Sequence, residues 1–441
     1  MVIAMSLDPL KILKDLVNVN TVNNPEENVK PTDELPKKIQ SFLKSVGIDS
    51  EILERNGYYS ILGILGNGKP VIMYMAHFDT VPVNLKEWQY DPFKLTVKGN
   101  LAYGRGSIDD KGNVAAIMSM LSRIAQKKLN KTIIFAFTGD EEIGGRNGAA
   151  YVREVLIERG LKPDYLINGD GHGMEIIIRR RCSFKLTIKH RARKMKIRGK
   201  ILNRRFEVKT PIYETRHSAY FMPGVDFHPM LAASYYLRLN PELKVAAIKG
   251  EFVKSNVIPS WVELTLIEEG EGQEYIIDEG LTQLLKAILP IARTPIKPEK
   301  YSDYGVSKMP NYYKLEGDSH VITFDIRAMT TNLEELEPFK TSIMENIPEA
   351  QFTIRGGTGY LYTDRKDPIV LKSIEALKEL NVKPIISEMG GASDSRYYAP
   401  INVKCIDFGP NGGNIHGPNE YVEIDSLYKT ADFYLKLAEK I

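Results

Sequence analysis

Residues 70–79 read Pro-Val-Ile-Met-Tyr-Met-Ala-His-Phe-Asp. The apolar run that opens this stretch is short and rich in strand-forming side chains, which predicts a buried strand over Pro70 to Ala76. His77 and Asp79 follow directly. Open α/β sheets place their active sites at the carboxyl ends of strands, so we expect both side chains at a functional edge of a sheet.

Three further strand ends carry acidic residues. The loop Gly104-Arg105-Gly106 leads to Asp109, and a helix is predicted from about Asn113 because apolar residues recur there with helical spacing. A predicted strand over Thr132 to Phe137 leads to Glu141 and Glu142. A helix over Ala149 to Glu158 and a strand over Asp164 to Asn168 then lead to Asp170, and His416 lies in a late glycine-rich loop.

These residue types are those that a pair of divalent metal ions requires. One carboxylate bridges the ions, each ion takes further His, Asp or Glu ligands, and a general base stays unbound. Taken singly, each residue has an ordinary explanation: His77 as a satisfied polar residue, Asp109 as a helix N-cap, and Glu141-Glu142, Asp170 and His416 as turn or loop residues. Together they favour a metal site, because the ordinary explanations would require several independent coincidences.

The combined motifs resemble the di-zinc metallopeptidases and deacylases. This family includes succinyl-diaminopimelate desuccinylase, acetylornithine deacetylase, aminoacylase, glutamate carboxypeptidase and several dipeptidases. The resemblance rests on His-x-Asp, Gly-Arg-Gly-x-x-Asp-x-Lys-Gly, Asp-Glu-Glu, a further acid and a late Ile-His, and it extends to the segments Gly390–Arg396 and Gly409–Glu420. It covers most of residues 1–178 and 361–441.

The resemblance implies roles for individual residues. Asp109 would bridge two divalent ions, most often Zn, with Co or Mn as alternatives. The remaining metal ligands would be His77 and Asp170 at one ion and Glu142 and His416 at the other. Glu141 would be the general base, and Asp79 would orient His77. The implied activity is amide hydrolysis, in an N-acyl amino acid or a short peptide, by water activated between the ions.

The middle of the chain departs from the strand–helix alternation. β-rich segments such as Phe184–Lys189 alternate there with helical patterns, over Pro229–Leu239 and Tyr275–Leu289. We therefore predict an α/β fold with a zinc-peptidase-like catalytic domain built on a central mixed sheet (1–178 and 361–441) and an inserted α+β lid and dimerisation domain (179–360). The resemblance implies that His217 binds the oxyanion, and that Asn256 and Arg327 bind substrate. A basic run over 189–205 is interpreted as a solvated hairpin, with attraction of acidic substrates or of another subunit as the alternative.

Two questions stay open in the sequence. The late segments lean towards the deacylase branch, whereas aspartate at position 170 is commoner in aminopeptidases and dipeptidases of the family; a carboxypeptidase is a further alternative. A catalytically silent binding protein is less favoured, because every ligand and the base are present.

Composition narrows the class of protein. The chain has 441 residues, a net charge of +3 and a pI near 8.4, which is too mild for a nucleic-acid-binding protein. No apolar run approaches a membrane span. The chain has only two cysteines, which are remote from each other in sequence. This argues against a disulfide framework and predicts that the protein is located in the reducing cytoplasm. The expected partners are a small or short-peptide substrate and a second copy of the chain, bound through the lid.

Overall fold

The computed structural model describes residues 8–209, 218–221 and 226–441. The strands within these residues, numbered in chain order, are β1 (Glu51–Arg55), β2 (Tyr58–Leu65), β3 (Val71–His77), β4 (Thr96–Lys98), β5 (Leu101–Tyr103), β6 (Thr132–Thr138), β7 (Tyr165–Asn168), β8 (Ile176–Arg180), β9 (Cys182–Arg191), β10 (Lys194–Glu207), β11 (Leu243–Gly250), β12 (Trp261–Glu269), β13 (Gln273–Asp278), β14 (Ser307–Glu316), β15 (Ser319–Ala328), β16 (Gln351–Gly356), β17 (Leu361–Tyr362), β18 (Ile386–Met389), β19 (Lys404–Asp407), β20 (Gly412–Gly413) and β21 (Tyr421–Glu423). The helices are α1 (Pro9–Val17), α2 (Glu34–Ser45), α3 (Lys111–Ile124), α4 (Ala149–Glu158), α5 (Pro229–Leu239), α6 (Glu279–Ala292), α7 (Pro338–Asn346), α8 (Pro368–Glu379) and α9 (Ile424–Lys440).

The first of two compact units contains the chain up to Arg180, Tyr360–Glu388 and Ala392–Ile441. It is built on a nine-stranded sheet in the order β1-β2-β6-β3-β7-β19-β8-β17, with β18 paired to β8. The pairs β3–β6, β3–β7 and β7–β19 are parallel, and β1–β2, β2–β6 and β8–β17 are antiparallel. The predicted α/β class with a central mixed sheet is confirmed.

Strand β3 occupies the middle of this sheet and is buried along its whole length. Successive side chains of a strand point to opposite faces. Ile72 and Tyr74 accordingly pack into a core with helices α1, α3 and α9, whereas Met73 and Met75 pack into a second core with α4. Helices on both faces explain why the strand is apolar throughout rather than alternating.

The strand and helix boundaries predicted in this unit lie close to the observed ones. Helix Ala149–Glu158 has the predicted bounds, and the strand predicted over 132–137 runs one residue further, to Thr138. The strand predicted over 70–76 is shifted by one residue, so that His77 is its last residue. A smaller antiparallel sheet, β20-β21-β5-β4, holds the loop between Gly413 and Tyr421 that carries His416.

The second unit contains Arg181–Gly359 and Met389–Gly391. Two four-stranded antiparallel sheets, β11-β12-β10-β13 and β14-β15-β9-β16, accompany helices α5, α6 and α7. The helix predicted from Tyr275 is wrong at its start: β13 continues to Asp278 and the helix begins at Glu279. The side chain of Asp278 explains the boundary, because it accepts a hydrogen bond from the Leu281 N–H and caps the helix.

The hairpin predicted for the basic run is also wrong. Strands β9 and β10 belong to different sheets, and β10 pairs with β12 and β13 rather than with β9. Most side chains of β10 are exposed, so the lysines and arginines remain solvated on a long strand. Within the described ranges, no helix has the length and apolar character needed to cross a bilayer.

Candidate metal centre

His77 ends the buried central strand, and only 3 % of the residue is exposed. Its Nδ1 lies 3.1 Å from the backbone carbonyl oxygen of Asp79, and its Nε2 lies 3.0 Å from Oδ1 of Asp109. A carbonyl oxygen only accepts, so Nδ1 carries the hydrogen. In the neutral ring, the lone pair of Nε2 is then directed at Asp109, as in a metal-binding imidazole.

Asp109 lies between two imidazoles. Its Oδ1 faces His77, and its Oδ2 lies 3.0 Å from Nε2 of His416. The same His416 nitrogen lies 3.1 Å from Oε1 of Glu142. Donor atoms of Asp109, Glu142 and His416 all lie within 4.8 Å of one another. Each oxygen of Asp109 therefore belongs to a different group of potential ligands.

A divalent cation fits these donors. Two neutral imidazoles and a carboxylate would direct lone pairs at each other across 3.0 Å, which is repulsive unless a proton or a cation lies between them. Burial lowers the pKa of His77, but its hydrogen bonds to Asp109 and Asp79 dominate and raise that pKa well above its usual value. Such a site attracts positive charge, and imidazole with carboxylate suits Zn, Co or Mn.

Asp79 contacts both His77 and the turn that carries Glu141 and Glu142. The residue is fully buried, its Oδ1 lies 3.5 Å from Nδ1 of His77, and it accepts hydrogen bonds from the backbone N–H groups of Glu141 at 3.0 Å and Glu142 at 3.2 Å. Asn23 donates a further hydrogen bond to it at 2.9 Å. The two glutamates lie on a short 3-10 turn, Glu141–Ile143, after β6. One carboxylate therefore holds the turn that carries both glutamates, a role that sequence reasoning did not assign.

Glu141 lies next to Glu142 but outside the cluster of donor atoms. Its Oε1 lies 3.5 Å from Nη2 of Arg396, which also contacts Oδ1 of Asp394 at 3.1 Å. Burial raises the pKa of Glu141 to about 7, although the positive charge of Arg396 opposes that rise. A carboxylate in this range can both accept and return a proton near neutral pH. The sequence analysis identified the segment Gly390–Arg396 but did not single out Asp394 and Arg396 within it.

Asp170 follows β7 in the same unit. Arg180 donates hydrogen bonds to its backbone carbonyl oxygen and, at 3.4 Å, to Oδ1. Arg180 also pairs with Asp407 at 2.5 Å. Burial, opposed by Arg180, raises the pKa of Asp170 well above its usual value, and the negative charges of Glu141 and Asp109 contribute to the rise. Asp170 therefore shares the electrostatic environment of the cluster, although its closest described contact is Arg180.

A buried ion pair positions the Asp109 loop. Glu420 accepts hydrogen bonds from Arg105 at 2.6 Å and from the backbone N–H groups of Gly106, Ile108 and Asp109 at 3.0 to 3.1 Å. Arg105 also donates to the backbone carbonyl of His416 at 3.3 Å. The pair therefore joins the loops of Asp109 and His416. Sequence reasoning missed it, and its only local signal was an arginine between two glycines.

The residues predicted to act from the lid are placed as follows. His217 lies outside the described residues. Asn256 accepts a hydrogen bond from the Ser218 N–H through its backbone carbonyl, at 2.9 Å. Arg327 is buried, and its Nε donates to both carboxylate oxygens of Asp325 at 3.0 and 3.1 Å. Asn256 and Arg327 belong to the second unit, and the metal cluster belongs to the first.

Carboxylates and imidazoles gathered at the carboxyl edge of a mixed sheet are typical of metal-dependent hydrolases. Residues 73–440 match the profile of Peptidase family M20/M25/M40, and the chain belongs to this family. It is therefore a hydrolytic enzyme of the metallopeptidase and deacylase class, and the predicted family and enzyme class are confirmed.

Relatives match over most of their length. The chain is 27 % identical to a succinyl-diaminopimelate desuccinylase of Vesicomyosocius okutanii subsp. Calyptogena okutanii (strain HA), with 98 % of each chain covered. It is 26 % identical to one of Coxiella burnetii, covering 89 % of this chain and 90 % of the relative.

Solved structures share the fold. The aminoacylhistidine dipeptidase of Vibrio alginolyticus has a TM-score of 0.68 at 16 % identity, covering 98 % of this chain and 96 % of its own. An M20 family metallo-carboxypeptidase of Sulfolobus solfataricus has a TM-score of 0.63 at 15 % identity, covering 98 % of both chains.

Proposed function

We propose that the protein hydrolyses the amide bond of a small N-acyl amino acid at a pair of divalent metal ions. The observation that carries this proposal is the position of Asp109, whose two oxygens each lie 3.0 Å from a different imidazole nitrogen. A bridging ligand needs this arrangement, because each oxygen must serve a separate ion.

The contacts of Asp109 with His77 and His416, and of His416 with Glu142, support the assignment of residues to the ions, and Asp170 is included because the family resemblance implies it. His77 and Asp170 would hold one ion and Glu142 and His416 the other, with Asp109 shared. Zinc is the first candidate, and cobalt or manganese also suits these ligands. When bound, such ions supply Lewis acidity and bring the ionisation of water close to neutral pH.

Glu141 is the proposed general base. It takes the proton of the attacking water as the amide carbonyl is attacked, and returns that proton to the departing nitrogen. Hydrogen bonds from the backbone N–H groups of Glu141 and Glu142 to Asp79 hold Glu141 beside the proposed ligand Glu142. The carboxylate of Glu141 is not one of the proposed metal ligands, so it is free to act as the base. Arg396 contacts the same carboxylate and orients it.

An acylated amino acid is the preferred substrate class because relatives that match along almost the whole chain are named desuccinylases. A dipeptidase, aminopeptidase or carboxypeptidase activity is the second candidate. Aspartate rather than glutamate at position 170 favours it, and so do the names of the solved structures that share the fold.

The first unit is the proposed catalytic domain, and the second is the proposed lid, through which two copies would dimerise. Asn256 and Arg327 of the lid are proposed to bind substrate, and His217 to bind the oxyanion. Arg327 is held through Nε by Asp325, which would preset its terminal NH₂ groups for a substrate carboxylate. Location in the cytoplasm stays a prediction.

The test is hydrolysis by metal-stripped protein reloaded with Zn²⁺ or Co²⁺, against N-succinyl and N-acetyl amino acids and a set of dipeptides. We expect no release without metal, and release from the acylated amino acids with it. Metal-dependent release from dipeptides alone would move the assignment to the second candidate. Two bound ions per chain with no turnover of any substrate would contradict the proposed hydrolysis.

A further inference from the structure

Asn113 lies in the first turn of helix α3, and its side chain is fully buried. It is wedged between the residues that follow strands β7 and β19, which are neighbours in the large sheet. A Cβ added to Gly169 would lie 2.6 Å from Cβ of Asn113, and a Cβ added to Gly409 would lie 2.6 Å from its Nδ2. Both distances are too short for a real Cβ, so glycine at these two positions leaves the room that the amide occupies.

The polar atoms of this amide all have partners. Nδ2 of Asn113 donates one hydrogen to Oδ1 of Asp110 at 2.7 Å and the other to the backbone carbonyl of Gly169. Its Oδ1 accepts from the hydroxyl of Tyr434, also at 2.7 Å. The carbonyl of Gly169 only accepts, so the NH₂ group must face it, and the orientation of the amide is fixed. A buried network with satisfied donors and acceptors is rigid and holds the groups that it joins in one arrangement.

Through this network Asn113 reaches the backbone beside each residue assigned to one of the two ions. Oδ2 of Asp110 accepts the backbone N–H of His77 at 3.1 Å. Asp110 directly follows the shared ligand Asp109. Gly169, whose carbonyl accepts from Asn113, directly precedes Asp170. We call the site of His77 and Asp170 the first ion site.

The two residues assigned to the second ion are held by other groups. The backbone N–H of Glu142 donates to Asp79 at 3.2 Å, and the backbone carbonyl of His416 accepts from Arg105 at 3.3 Å. We call the site of Glu142 and His416 the second ion site. A change at Asn113 should therefore act on the first ion site and leave the anchors of the second in place.

We propose that Asn113 is a positioning residue that sets the affinity of the first ion site and leaves that of the second nearly unchanged. The proposal rests on the assignment of residues to two ions made above. Asn113 acts through Asp110 and Gly169 rather than as a ligand. Loss of a group that orients metal ligands usually weakens metal binding by about 10- to 100-fold, because the ligands must then be brought into place as the ion binds.

The test is calorimetric titration of metal-stripped protein with Zn²⁺. The unmodified protein should bind two ions per chain. Asn113→Ala should weaken one of the two ions by about 10- to 100-fold and change the other by less than about twofold. Leu121→Ala truncates a fully buried side chain further along the same helix and is the matched control. It should lower the urea midpoint of unfolding, yet it should keep both metal affinities within about twofold of the unmodified protein.

Two ligand variants show which ion responds. His416→Ala retains the first ion site, and adding Asn113→Ala should weaken the remaining ion by about 10- to 100-fold. His77→Ala retains the second ion site, and adding Asn113→Ala should change the remaining affinity by less than about twofold. Tyr434→Phe removes only the hydroxyl that holds the amide, and it provides the test if Asn113→Ala does not fold. It should weaken the first ion site by about three- to tenfold.

Equal weakening of both ions in Asn113→Ala, or unchanged affinity for both, would overturn the proposal. So would a loss confined to the second ion site, or unmodified metal binding by Tyr434→Phe. Failure of the proposed hydrolysis gives a different result: two ions bind, Asn113→Ala weakens the first site alone, and no substrate is turned over. An unmodified protein that binds a single ion would overturn both proposals.

Discussion

The carboxylate of Asp79 accepts the backbone N–H of Glu141 at 3.0 Å, across 62 positions of sequence. Its other oxygen accepts the N–H of Glu142 at 3.2 Å, and its backbone carbonyl lies 3.1 Å from Nδ1 of His77. The residue that sets the orientation of a proposed metal ligand therefore also sets the position of the proposed base. A shift of Asp79 would disturb both ends of the site at once.

We expect Asp79→Asn to lower kcat by about 10- to 100-fold, in line with the loss of other groups that orient metal ligands. The amide offers one acceptor where the carboxylate offers two, so one of the two N–H bonds is lost. The free energy of unfolding should fall by about 1 to 3 kcal/mol. Steady-state kinetics and urea denaturation measure the two effects, with the exposed Asp49→Asn as the control. Unchanged kcat in Asp79→Asn would refute the positioning role.

Glu141→Gln and Glu142→Gln should separate the base from the ligand. Glu141→Gln should reduce kcat by about 10²- to 10⁴-fold, the usual contribution of a general base, while bound metal stays near the unmodified content. Glu142→Gln should lose metal because its carboxylate lies 3.1 Å from Nε2 of His416. Metal analysis alongside kcat distinguishes the two. Full metal content in Glu142→Gln would contradict the ligand role of Glu142. High activity in Glu141→Gln would contradict the role of Glu141 as the base.

Glu420→Gln tests the buried pair that joins the Asp109 and His416 loops. The change leaves Arg105 as an uncompensated buried charge, so the free energy of unfolding should fall by about 3 to 5 kcal/mol. Metal affinity should also fall, because Glu420 holds the N–H of Asp109 at 3.1 Å. Glu375→Gln, in an exposed pair with Lys372, should change stability by less than about 0.5 kcal/mol. Equal effects of the two substitutions would argue against a special role for the buried pair.

His228 should make stability depend on pH. Burial lowers the pKa of His228 to about 4, whereas the unfolded chain has a His pKa near 6.5. Between these values the unfolded state binds more protons, so stability increases with pH and is lost as pH falls from 7. From pH 7 to pH 5, the protein should lose about 2 kcal/mol more than His228→Gln does. Urea denaturation at both pH values measures this difference, and parallel losses in the two proteins would refute it.

Much of the first unit could be predicted from local sequence. The helix Ala149–Glu158 and the strand that ends at His77 were predicted to within a residue, because apolar periodicity reports how an element faces the core. Local pattern failed at Tyr275, where a strand runs directly into a helix with no turn residues between them. It failed again in the basic run, where charged residues lie on an exposed strand rather than in a hairpin.

The sequence by itself determined the family and the central mixed sheet, and it predicted the metal-binding side chains, because these inferences depend on residue types at short spacings. Only the tertiary structure decided which groups hold them: Asp79 against the Glu141 turn, Glu420 against the Asp109 loop, and Arg396 against Glu141. All three contacts join residues that are at least 62 positions apart in the sequence. A hydrogen bond between distant strand ends leaves no periodic signal, since its partners meet only when the sheet has assembled.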